Sequence, residues 1–229
     1  GIPITDIIST FFALFSLYLY SKEKYFLAGL ITGVAFLLRF PQGLILASLG
    51  IIALYDTRNG EVLLWIKDAS KRLLTIFSGF LVLGTPYFLS NYFFYGNVLK
   101  PLVVGSDIVG YGCIYFYNFG PWYYVKELWS TAPLLFFSLF APAVLIFKKN
   151  DNESQKNLIA ILITTIVFTT YFFWQCHKEL RFSIAFVPYL AFLSGVAFSF
   201  LIKIFHYKKI LVFLSTAMFY IFSVFLIYK

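Results

Sequence analysis

Apolar residues run along this chain in long unbroken stretches, and polar residues gather in short clusters between them. Eight apolar stretches stand out, at 3–20, 25–40, 42–55, 73–95, 132–147, 158–174, 182–202 and 210–228. None shows the polar–apolar alternation of a membrane β-barrel strand. A helix needs roughly 17 to 25 mostly apolar residues to cross a bilayer, and in lipid the backbone must satisfy its own N–H and C=O groups. The pattern predicts an all-α polytopic membrane protein with about eight transmembrane helices. These form a single transmembrane domain over 1–229, with one long outer loop at 96–131. Stretches 25–40 and 42–55 are short, so a helix–turn–helix dipping part-way into the membrane is the alternative there.

Composition strengthens this picture. The chain is 61% hydrophobic and 12% charged, with 30 Phe and 17 Tyr, whereas a soluble domain is close to half apolar and a quarter charged. The net charge is +8, but the basic residues form no single stripe, so no nucleic-acid partner is expected. Their placement orients the chain instead. One set of alternate loops carries Lys22, Lys24, Arg58, Lys67, Lys71, Arg72, Lys148, Lys149, Lys156, Lys203, Lys208 and Lys209. The other carries Arg39, Lys100, Lys126, Lys178, Arg181 and Lys229. The excess of basic residues puts the first set in the cytoplasm. Loop 175–181, Arg39, Asp6 and segment 96–131 then face outward or into a lumen, in the plasma membrane or endoplasmic reticulum.

Several local features refine the reading. Segment 56–72 has a turn at Asn59-Gly60, followed by a short amphipathic stretch anchored by Trp65. It reads as a cytoplasmic surface helix or a partner-docking segment. Lys148-Lys149 to Glu153 reads as a solvated turn. Gly29-x-x-x-Gly33 permits close helix contact. Pro86, Pro142 and Pro188 lie within apolar stretches and should bend them. Cys113 and Cys176 make no metal pattern; they read as a disulfide on one side of the membrane or as two inert thiols. No metal site is expected. The outer segment turns aromatic from Tyr115 to Tyr124, which suits sugar stacking or an interfacial aromatic belt.

The sharpest chemical feature is Gln175-Cys176-His177-Lys178-Glu179-Leu180-Arg181-Phe182. His177, Lys178, Glu179 and Arg181 are flanked by uncharged residues at 158–174 and 182–202. Charge at a membrane boundary is costly and usually has a task. Arg offers a planar fork to phosphate oxygens and Lys a point charge, so a lipid phosphate or pyrophosphate suits the cluster. The alternative is four charges that satisfy one another between two helix ends. No P-loop, dinucleotide-binding glycine pattern, metalloprotease motif or Ser–His–Asp set competes.

His177-Lys178-Glu179-Leu180-Arg181-Phe182, followed by Val187-Pro188, resembles the His-Lys-Glu-x-Arg-Phe signature of glycosyltransferase family 22. That family comprises GT-C mannosyltransferases using polyprenyl-phosphate (dolichyl-phosphate) sugar donors. Phe94-Tyr95-Gly96, Gly120-Pro121-Trp122-Tyr123-Tyr124, and Ala28 to Gly33 running on to Arg39-Phe40 are similar to generic GT-C segments. The resemblance implies a GT-C-like fold. It also implies transfer of a hexose, by expectation mannose, from a lipid-linked donor to a glycan or glycolipid acceptor.

The resemblance further implies donor-phosphate binding by His177, Lys178 and Arg181, with Arg39 as a second candidate and Glu179 orienting them. Asp6, Asp107, Trp122 and Tyr123 are candidate sugar or acceptor contacts. The family's base is a carboxylate in a loop after the first helix. The chain opens at Gly1 and its single Met is Met218, so that base is expected upstream of Gly1, on a missing N-terminal part. No cofactor is implied beyond the donor substrate, and membrane lipids and a partner subunit are the other expected contacts. The competing expectations are a sugar-lipid transporter or flippase and an inactive fragment acting as a subunit.

Overall fold

The computed structural model describes residues 4–58, 62–115, 119–147 and 152–205. The expected helix at 210–228, the Asn59-Gly60 turn, Lys148-Lys149, residues 116–118 of the aromatic run and the Cys113 side chain lie outside the described residues.

Among the described residues the chain is all-helical. Nine α-helices follow one another: α1 (Ile4–Ser21), α2 (Tyr25–Leu38), α3 (Leu44–Asp56), α4 (Val62–Tyr95), α5 (Lys100–Tyr115), α6 (Tyr123–Thr131), α7 (Ala141–Phe147), α8 (Asn152–Trp174) and α9 (Val187–Phe205). Three 3-10 segments, Phe40–Gly43, Pro133–Phe140 and Leu180–Ala185, connect them. Among the described residues two helices are long and apolar enough to cross a membrane, Val62–Tyr95 and Glu153–Trp174. A third span is available if Tyr123–Thr131 and Pro133–Ile146, bent by 114° at Ala132, act together. Leu74 and Ile166 on the long helices are more than half exposed, as lipid-facing side chains would be.

Helices α1, α2 and α3 form an antiparallel run that carries the chain between two polar ends. The α1–α2 pair is tied by Ser16, whose hydroxyl lies 2.8 Å from both the Ala28 carbonyl and the Thr32 hydroxyl. Small residues let α2 and α4 cross at backbone distance. A methyl group on Gly29 would collide with the Ile76 carbonyl oxygen, and one on Gly79 with the Phe26 carbonyl oxygen. Gly33 continues the same face, with Leu83 Cβ 3.2 Å from where its own Cβ would stand. A buried apolar core including Ala13, Ile45, Ile76, Phe168, Phe172, Phe186 and Tyr189 joins α1, α3, α4, α8 and α9.

The structure revises several expectations. Segment 62–72 is not a separate surface helix but the first three turns of the 34-residue α4. No breaker separates Lys67 from Leu73, so the helix continues, and at 1.5 Å per residue it is about 51 Å long, well beyond a ~30 Å hydrocarbon core. Trp65 anchors this overhang by donating its Nε1–H to the Leu54 carbonyl at 2.8 Å, a partner within the protein. Segment 96–131 is not a loop, because α5 and α6 occupy much of it. Pro101 sits at the second position of α5, where its missing N–H costs nothing. Pro142 and Pro188 likewise occupy first turns, of α7 and α9, and Pro86 alone lies inside a long helix.

Candidate functional site

The chain leaves α8 at Trp174 and runs as an extended turn to the 3-10 segment Leu180–Ala185. Glu179, in β conformation (φ −131°, ψ 144°), starts that segment. This geometry stacks the polar cluster on itself. His177 Nε2 lies 2.6 Å from Glu179 Oε1. Arg181 reaches the same carboxylate with Nε 2.5 Å from Oε2 and Nη2 3.0 Å from Oε1, a forked charge-assisted contact. Burial alone would raise the Glu179 carboxyl. The hydrogen bonds from His177 and Arg181 and their charges outweigh it and hold the group below the usual carboxylate range.

Lys178 points the other way. It is buried, 2% exposed, and donates to the Gln175 carbonyl at 2.5 Å. Glu179 therefore pairs with His177 and Arg181 rather than with Lys178. Desolvation lowers the Lys178 ammonium from its ordinary value.

Helix packing brings Arg39 and Asp6 to the same place. Because α1 and α2 are antiparallel, the start of one meets the end of the other. Asp6, in the first turn of α1, forms an ion pair with Arg39 just past the end of α2. The Arg39 guanidinium lies 5.1 Å from the centre of the Phe182 ring, and that of Arg181 lies 5.4 Å from it. The His177 ring is 5.5 Å from Phe182 as well. Burial, with the charge of Arg181, lowers the Arg39 guanidinium from its usual value. Two arginines thus face two carboxylates, Arg39 against Asp6 and Arg181 against Glu179, while Lys178 is held by the Gln175 carbonyl, and the Arg181 side chain is 55% exposed. The site has an accessible cationic fork over an aromatic ring, backed by buried charge.

Two further residues belong here. Gln42, fully buried after the Arg39-Phe40-Pro41 turn, donates to the Thr10 hydroxyl at 2.9 Å, and Thr10 donates to the Asp6 carbonyl at 2.8 Å. Gln42 Oε1 is buried without a hydrogen-bond partner in the structure. A glutamine flanked by Pro41 and Gly43 between two apolar helices was the available signal for it. Tyr124, fully buried on α6, sets its hydroxyl beside the Glu179 backbone, and the Tyr123 hydroxyl meets the backbone of Leu180. Tyr123 also stacks on Phe119 with centroids 4.7 Å apart. The aromatic segment therefore rests against the charged turn. Trp122 is 72% exposed at the start of α6. Asp107 is exposed on α5, which packs chiefly on α4, and is not drawn into the cluster. Cys176 is disulfide-bonded.

Beside the turn lies an apolar cavity of about 630 Å³ between α6, α8 and α9. Pro121 and Trp174 line it at the charged end, and Leu162 and Leu193 line it further along α8 and α9. Among the described residues no group of three His, Cys, Asp or Glu side chains could hold a metal ion. Compared with family models, characterised proteins and solved structures, the chain matches none.

Proposed function

We propose that this chain is the donor-binding part of a GT-C-type membrane glycosyltransferase, by resemblance a mannosyltransferase. It would use a polyprenyl-phosphate sugar and deliver the hexose to a glycan or glycolipid on the outer or lumenal face. The observation that carries the reading is the convergence of Arg39 and Arg181 on Phe182. Two guanidinium groups from distant stretches of sequence share one aromatic ring at the mouth of the bundle, and one of them is open to a phosphate.

In this reading Arg181 and Arg39 grip the donor phosphate, with Lys178 supplying buried positive charge behind the turn. Glu179 positions Arg181 and His177, and Tyr123 and Trp122 offer ring faces to the sugar. The neighbouring apolar cavity takes the isoprenoid tail. Its walls are hydrocarbon and aromatic, which suits burial of a chain at roughly 0.8 kcal/mol per CH₂. The disulfide at Cys176 suits an oxidising outer or lumenal face. The shorter apolar helices α1, α2, α3 and α9 would bring the bundle to seven spans, and the apolar stretch 210–228, outside the described residues, would be the eighth.

A flippase would need a polar way through the bundle. Among the described residues the buried charged side chains, Asp6 and Lys178, both lie at the His177 end. Hydroxyls such as Ser16 and Thr32, bonded to each other, occupy the interior between α1 and α2. That favours chemistry at one face over passage.

The test is sugar transfer from polyprenyl-phosphate mannose by membranes carrying the full-length gene product. Arg181→Ala should cut transfer at least tenfold, by the loss of one charge-assisted contact worth about 1.5–3 kcal/mol. Transfer at the wild-type rate in Arg181→Ala would refute the assignment.

A further inference from the structure

A second polar assembly lies at the opposite end of the bundle. Helix α1, with Asp6 in its first turn, ends at Ser21, α2 returns from Tyr25 to Leu38 beside Arg39, and α3 descends to Asp56. The ends of α1 and α3 and the start of α2 are thus remote from the His177 turn. They enclose a cavity of about 850 Å³ with the first turns of α8.

Its inner wall is apolar, with Leu14, Leu17, Ile52, Ile161 and Phe192. Its mouth carries charges of both signs: Lys22, Arg72 and Lys156 against Glu23, Asp56 and Glu153. Part of this set is already committed. Tyr20 donates to Asp56 Oδ2 at 3.0 Å, and Arg72 stands 3.9 Å from the same oxygen. The Arg72 guanidinium lies 5.1 Å from the centre of the Tyr25 ring, and the Lys22 ammonium 5.9 Å from that of Tyr18. Glu23 and Glu153 are exposed on the rim and form no salt bridge among the described residues. Glu23 is also the one non-glycine with positive φ (60°) among the described residues. Glutamate thus stands where glycine is at home, in the lining of the cavity.

We propose that this cavity binds a phospholipid with a phosphoethanolamine head group, drawn from the leaflet at that end of the bundle. The apolar wall takes the upper acyl chains. Arg72, with Lys22 and Lys156, faces the phosphate; Glu23 and Glu153 accept hydrogen bonds from the ammonium. The balance of charge disfavours a purely anionic head group. A choline head group fits less well: it has no N–H to donate to the carboxylates, and Tyr18 and Tyr25 already carry Lys22 and Arg72. The proposal is independent of the donor site.

The experiment is native mass spectrometry of the full-length protein in mild detergent. It is loaded in turn with phosphatidylethanolamine, phosphatidylcholine and phosphatidylglycerol of matched chains, and with soluble glycerophosphoethanolamine. Phosphatidylethanolamine should be retained about tenfold over the other two lipids, as expected for a charged hydrogen-bond pair. Arg72→Gln should lower retention of phosphatidylethanolamine and phosphatidylcholine together, because both carry the phosphate. Glu23→Gly combined with Glu153→Gln should erase the preference. Both positions are exposed, and glycine relieves the backbone at 23, so this variant keeps its fold. Equal retention of the three lipids, a preference for phosphatidylglycerol, a preference surviving the double variant, or equally tight binding of glycerophosphoethanolamine would each overturn the proposal.

Discussion

The guanidinium of Arg39 lies 5.1 Å from the centre of the Phe182 ring, although the two residues are 143 positions apart. This contact joins the end of α2 to the charged turn after α8. It is held from below by Asp6, whose ion pair with Arg39 is largely shielded from water, the two side chains being 8% and 14% exposed. Breaking one partner of a buried pair leaves the other uncompensated. Asp6→Asn should therefore destabilise the fold by about 3 kcal/mol. Asp6→Asn with Arg39→Gln should recover part of that loss in a thermal-unfolding double-mutant cycle.

Glu179 makes stability depend on acid. Its carboxyl is held below the ordinary value in the folded chain, so the unfolded chain takes up protons first as pH falls. The contribution is complete at neutral pH and is lost as pH drops from the ordinary glutamate range through the lowered folded value. Lys178 gives a slope of the same sign in the alkaline range. Burial lowers its ammonium, which penalises the folded state while the lysine is charged. That penalty fades as pH rises from the lowered folded value to the ordinary lysine value. Glu179→Gln should flatten the acid limb of a melting-temperature profile and Lys178→Met the alkaline limb.

The α2–α4 crossing has no room for a methyl group. Gly29→Ala and Gly79→Ala would each press a Cβ into a facing backbone carbonyl, which a flexible side chain cannot relieve. Each should cost at least about 2 kcal/mol, as overpacking does. Gly105→Ala, with nothing near it, should instead be neutral or mildly stabilising, because alanine favours helix over glycine by about 1 kcal/mol. Chemical denaturation in mixed micelles would separate the three.

The turn after α1 offers the converse case. Glu23 holds φ 60°, a left-handed conformation that costs a non-glycine residue about 1 kcal/mol. Glu23→Gly should raise stability by about that amount in the same unfolding assay.

Much of the helical architecture was legible because lipid-scale apolar runs have few alternatives. The expected helices at 25–40 and 42–55 lie close to α2 and α3 as observed. Segment 96–131 was harder to read. Its glycines and prolines look like loop chemistry, yet Pro101 sits where a helix tolerates it and α5 continues through Gly105 and Gly110. The extension of α4 back to Val62 was hidden by charge, since Lys67, Asp68, Lys71 and Arg72 read as a surface element, although Lys67, Lys71 and Arg72 are sound helix formers. In the site, the His177–Glu179–Arg181 group was visible as a local cluster. The gathering of Asp6, Arg39, Thr10 and Gln42 was not, because it depends on the antiparallel return of α2 and the 3-10 turn that follows it.

The central claim is that the Arg39–Phe182–Arg181 assembly holds a lipid phosphate. The most direct measurement is equilibrium binding of a polyprenyl-phosphate sugar to the full-length protein in nanodiscs, for wild type, Arg181→Ala and Arg39→Ala. The account predicts affinity about tenfold weaker or worse in each variant, as for one lost charge-assisted contact, with little change for the Asp107→Asn variant, whose side chain is exposed on α5. Donor affinity unaltered in both arginine variants would contradict it.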